Sequence, residues 1–197
     1  MTILEFYNKV VTKTILVTDD RKYNLAHMGL GFMSEITVEY IEACEKDDPI
    51  NQMEELGDAE WFILGWAHFE DLTIPEFVKM DIRTLPNHND VQLLIHCGNI
   101  ATVIKNEIIK DTPKLNGKVL TKEDKQELFE KALTALHLVA HLNDFKMPVI
   151  REMIAKKLNV RYHGGGFSVD ESLNRDVEEE RKVMENSQTE INFDEQV

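Results

Sequence analysis

Five carboxylates stand at spacings that can do chemistry. Glu35, Glu39 and Glu42 follow one another at steps of four and three residues, and Glu55 and Asp58 are three apart. On a helix, positions three, four and seven apart share a face. Two such helices packed side by side would aim four or five carboxylates at one point. Buried without partners, these groups would repel one another and take up protons. A divalent cation removes that difficulty, and an all-oxygen set without His or Cys selects Mg2+, with Mn2+ able to substitute, rather than zinc. The acids are set among Met33, Ile36, Leu56, Trp61, Phe62 and Ile63, so their face does not read as simply wet. Solvated helix faces also carry Glu at these intervals, and spacing alone leaves both readings open.

The elements that must position these groups are helices. Residues 21–46 keep a helical period behind a possible cap at Asp19 and Asp20, and Pro49 disfavours helix at Asp48. A second helix is expected from about Asn51 through "QMEELGDAEWFILGWAHFEDL", and a short one after Pro75 in "IPEFVKMDIRTL". "PNHND" (86–90) reads as a linker. Another apolar helix follows, then the interruption "TPKLNG", a helix from a Thr121 cap to near Asn143, and a Pro-started helix at "MPVI". "SVDE" (168–171) has the form of a capping box opening a tail helix. No segment alternates with period two, so little or no sheet is expected. The segment from Glu55 to "IPEF" aligns with that from Glu130 to "MPVI", and in the second copy Asn99 and Leu133 stand where Glu35 and Asp58 would. The expected fold is all-α: a helical bundle of two tandem helical-hairpin repeats, the second degenerate, plus a C-terminal tail helix. One domain is expected over 1–184, with repeats at about 21–85 and 91–160, a tail segment at 161–184 and a flexible acidic end at 185–197.

Bulk properties narrow the class. The 197 residues are 43% apolar, enough for a full core. They hold no apolar run of about 18 residues, so no membrane partner is expected. The first residues lack the features of a secretory signal, and two cysteines without a CxxC read as reduced thiols, which together point to the cytoplasm. A net charge of −14 argues against nucleic acid as a partner. The seven histidines show no zinc spacing and read as structural or surface groups.

The run "AHMGLGFMSE", then "VEYIEA", then "EELGDAEWFIL", resembles the all-alpha NTP pyrophosphatase superfamily, the MazG-like nucleotide pyrophosphohydrolases of phage and bacterial type. That family's signature is EExxE, a gap, then ExxD, and Glu55 and Asp58 match ExxD. The tail "KKLNVRYHGGGFSVDESLNRD" resembles the C-terminal segment of many members. The likeness covers roughly residues 24–80 and 150–176. The first motif departs from the pattern: position 38 is Val, and the next acid after Glu35 is Glu39. Either one residue is inserted between Glu35 and Glu39 and accommodated as a π-bulge, a feature common at functional sites, or Glu39 and Glu42 form the pair. The first reading is preferred.

The resemblance implies Mg2+-dependent hydrolysis of a nucleoside triphosphate to the monophosphate and pyrophosphate, in a homo-oligomer (dimer or tetramer). Glu35, Glu39, Glu55 and Asp58 would be metal ligands. Glu42 would bind a second metal or orient the water, so that Glu39 and Glu42 are the candidate catalytic acids. Lys157, Arg161 and Arg175, with Tyr162 beside them, would meet the phosphates. Three alternatives remain open: a dimeric-type dUTP/dCTP diphosphatase, an iron-using carboxylate bundle, and a catalytically dead helical interaction protein. No Glu has a His three residues later, which disfavours the iron bundle. Retention of every acid in the first copy disfavours the dead protein.

Overall fold

The computed structural model describes residues 1–79, 89–163 and 165–194, with the side chains of 89–90 and 188–194 left out. The protein is all-α. Helix α1 (Ile3–Phe6), a π turn (Tyr7–Val11) and α2 (Thr12–Thr14) run on as one helical stretch, opened by a Thr2/Glu5 capping box. Helix α3 (Arg21–Ser34) starts at Asp20, whose carboxylate accepts from the Lys22 and Tyr23 N–H groups. It continues through a second π turn (Glu35–Glu39) into α4 (Tyr40–Glu45). Asp47 turns the chain at φ 51°. Asp48 then caps α5 (Pro49–Phe69) by accepting from the Asn51 N–H. The helix begins at Pro49 rather than Asn51, because proline fits a first turn that needs no N–H donor there.

The second pair repeats this plan. Helix α6 (Asn89–Lys110) leads through a small hairpin, β1 (Lys114–Leu115) paired antiparallel with β2 (Lys118–Val119), into α7 (Lys122–Leu142). Asn116 and Gly117 join the strands with φ of 50° and 84°, as a two-residue hairpin turn requires. Thr121 and Asp124 form a capping box, and Asn143 closes the helix. Helix α8 (Met147–Arg161) lies against α5, and α10 (Val177–Asp194) lies along α8, after the short α9 (Val169–Leu173) capped by Ser168. Helix α3 packs on α5, α6 on α7, and α3 on α6. Helix α5 touches α3, α4, α7 and α8 and is apolar round most of its girth, as a central helix must be. Among the described residues no helix is long and apolar enough to cross a membrane.

One expectation needs correction. Residues 72–79 form no helix after Pro75, and the rest of that segment, with most of the 86–90 linker, lies outside the described residues. Helix α10 runs on to Asp194, and Met184 and Ser187 are each 1% exposed. Polar composition hid two positions, one helical turn apart, that face α8. The four strand residues of the hairpin agree with the expectation of little or no sheet.

A buried ionic group ties α5, α7 and α8 together. The Glu60 carboxylate, fully buried, accepts from Arg151 Nε and Nη2 (both 2.7 Å) and lies 2.6 Å from His137 Nε2. Burial alone would raise the Glu60 carboxyl, but His137 and Arg151 outweigh it and hold it at about 2. Arg151→Ala would leave that charge buried without its main partner. The expected cost is roughly 3–5 kcal/mol in urea-unfolding free energy, and a cost under ~1 kcal/mol would contradict this account.

Candidate metal centre

The π turn decides which acids meet. A π turn takes one residue more than an α turn. Glu39, four residues after Glu35, therefore falls close to where a residue three after it would fall on an α-helix. Glu35 is turned toward α5. One carboxylate oxygen from each of Glu35, Glu55 and Asp58 lies within 4.8 Å of the others. Glu55 is buried, while Glu35 and Asp58 are half-buried. Glu39 is exposed, with its charge acting on Glu35 from the rim. Glu42 is also exposed and accepts from Lys46 Nζ at 3.0 Å, so the structure brings Glu35, not Glu42, to the α5 acids.

The electrostatics are those of a site short of positive charge. Burial pushes the Glu35 carboxyl up to about 7, helped by the Asp58 charge. Burial also pushes Glu55 up to about 10, followed by its bond to Glu35 and the charge of Asp58. Glu55 is thus the protonated partner and donates to Glu35. On the other side of Asp58 stands Lys157 of α8, 0% exposed, whose Nζ donates to Asp58 Oδ2 (2.5 Å) and Glu54 Oε1 (3.0 Å). Burial opposes its charge, but Asp58 and Glu54 outweigh that and raise its pKa. Gly57 permits this arrangement, since a Cβ there would overlap Ile154 of α8.

The remaining tail residues fall differently. Arg161, one turn after Lys157, senses the Asp58 charge but donates through Nε (2.9 Å) and Nη2 (2.6 Å) to Glu180 of α10. Tyr162 is 5% exposed and packs its ring 5.6 Å from Phe167, so it belongs to the core. Arg175 is exposed between α9 and α10, and no described contact ties it to the acids. Gly164 of the "HGGG" run lies outside the described residues.

One turn beyond Asp58 on α5, Phe62 and Trp61 meet edge to face at 4.9 Å, and His27 of α3, two turns before Glu35, lies 5.7 Å from Phe62. Phe62 lies over Gly31, where any Cβ would strike the ring. Sequence reading missed Glu54 and Glu180. Glu54 carried a signal, four residues before Asp58 on the same helical face, whereas nothing local in α10 announces Glu180. No protein-family model, curated protein or solved structure matches the chain.

Do these residues suit a metal? The donors are all carboxylate oxygens, converging from a helix and a π turn. Among the described residues, the Glu55 proton and the Lys157 ammonium are the groups bonded to these four acids, with the Arg161 charge acting on Asp58 from one turn away. Such a set fits a hard divalent cation such as Mg2+ or Mn2+, which would displace the Glu55 proton.

Proposed function

We propose that the protein hydrolyses a nucleoside triphosphate to the monophosphate and pyrophosphate, with Mg2+ held by Glu35, Glu55 and Asp58 and completed by Glu39. The observation that carries this reading is the convergence of three carboxylates, two of them with strongly raised pKa values, at a π turn. A bound Mg2+ supplies charge for phosphate oxygens and lowers the pKa of a coordinated water. Glu39, exposed beside Glu35, is the group suited to orient the attacking water and accept its proton. Lys157 holds Asp58 in position and adds positive charge beside the phosphates. Arg161 contributes a second cation at one turn's distance. The Phe62–Trp61 corner offers the base a stacking surface. Glu42, bonded to Lys46, is left at the outer edge.

The two-hairpin plan with a single acid set also suits a dUTP/dCTP diphosphatase. A panel of eight ribo- and deoxynucleoside triphosphates, assayed for pyrophosphate release with Mg2+ and Mn2+, separates the two. Turnover of at least one triphosphate is expected, and a strong preference for dUTP or dCTP would favour the narrower activity. In Asp58→Asn, turnover should fall by roughly 10^3-fold or more with helicity retained. A protein that releases pyrophosphate from none of the eight would end this reading in favour of an inert helical protein.

A further inference from the structure

The solvent side of α6 carries Val91, Ile95, Gly98, Thr102, Lys105 and Ile109. The steps between them alternate four and three, the spacing of a coiled-coil seam. Within the described chain nothing covers this seam: Val91, Ile95 and Ile109 are 49%, 47% and 70% exposed. A Cβ built on Gly98 would meet nothing within 4 Å. Lys105 alone is charged.

The seam also reads the same from either end. Reversed, it sets Val91 against Ile109, Ile95 against the aliphatic stem of Lys105, and Gly98 against Thr102. Bulky residues lie toward the ends and small ones at the centre, where two helix backbones could approach. A surface that complements its own reversed copy is the requirement for a two-fold contact between identical chains. We propose that this seam is the interface of an antiparallel dimer of this protein, α6 against α6.

Charge points to the same occupant. Two copies of a chain with net charge −14 repel over most approaches, and this face is nearly uncharged. Lys105 and Glu45 are both exposed, and neither forms an ion pair among the described residues. Glu45 borders a groove of about 270 Å3 beside Leu93 and Leu94, at the N-terminal end of α6. Reversal brings the Lys105 of one copy over that end of the other, next to its Glu45, twice per dimer. The Glu35 cluster lies between α3 and α5, so the dimer does not depend on the activity proposed above.

Sedimentation equilibrium on the full chain tests this. The wild type should sediment at twice its 22.8 kDa at micromolar concentration. Ile95→Lys places two ammonium groups together at each end and should weaken the dimer by about 100-fold. Ile95→Glu faces Lys105 instead and should keep it within about 10-fold. General repulsion in an acidic protein predicts the opposite order, so the pair of variants separates the seam from mere charge. Lys105→Glu should also weaken the dimer, and adding Glu45→Lys should restore it. This exchange of two exposed side chains provides a second reading that does not require Ile95→Lys to fold. A wild type monomeric up to about 100 µM, or variants that leave association unchanged or reverse the order, would overturn the proposal.

Discussion

Glu55→Gln is expected to reduce pyrophosphate release by at least ~10^3-fold while the metal-free protein keeps or gains thermal stability. Glu55 is buried in α5, and burial, the bond to Glu35 and the Asp58 charge push its carboxyl up to about 10. Near neutral pH it therefore holds a proton and donates it to Glu35. Glutamine has the same shape and keeps a donor for that bond. It cannot ionise to take a cation. A purely structural Glu55 would show the reverse pattern, with stability lost on substitution. Pyrophosphate release and calorimetry on the same preparation read both quantities, and full activity in the folded variant would contradict the account.

Metal-free protein should lose thermal stability as pH rises from 5 to 8, and saturating Mg2+ should abolish that loss. The sign follows from the raised carboxyls. Glu35 at about 7 and Glu55 at about 10 both stand above their ordinary 4.5, so the native state holds protons that the unfolded chain releases. Their contribution is fully present below 4.5, declines as pH rises through 7 for Glu35, and continues to decline toward 10 for Glu55. The Glu35 part alone is on the order of 2–3 kcal/mol. A cation that binds only the folded, ionised site reverses the trend by mass action. Glu60, held at about 2, acts with the opposite sign and withdraws stability as pH falls below 4.5. Melting curves from pH 3 to 9, with and without Mg2+, should show a metal-free maximum near pH 5. A metal-free curve rising from 5 to 8 would refute the arrangement of protons at the acids.

How much of this could be read from the residues varies with how local each cause is. Asp20, Thr121 and Ser168 announce helix starts because capping depends on a few adjacent positions, and all three cap helices in the structure. The π turn could be anticipated from one surplus residue between Glu35 and Glu39, and it lies at Glu35–Glu39. Glu55 and Asp58, three apart on one helix, could be placed on a common face from spacing. The relation of the tail to the acids depends on α8 packing against α5 through Gly57. Sequence could therefore nominate Lys157 and Arg161 but not say that Lys157 is wholly buried on Asp58 or that Glu180 engages Arg161. The Glu60–His137–Arg151 group joins three helices across 91 residues, and no local pattern reveals it.

Titration of the wild type with Mn2+ at neutral pH, followed by electron paramagnetic resonance, tests the metal centre most directly. The account predicts saturable binding, competed by Mg2+, that is lost in Glu35→Gln and in Asp58→Asn while Glu42→Gln retains it. Failure of the wild type to bind Mn2+, or equal binding by all four proteins, would contradict a metal centre at these carboxylates.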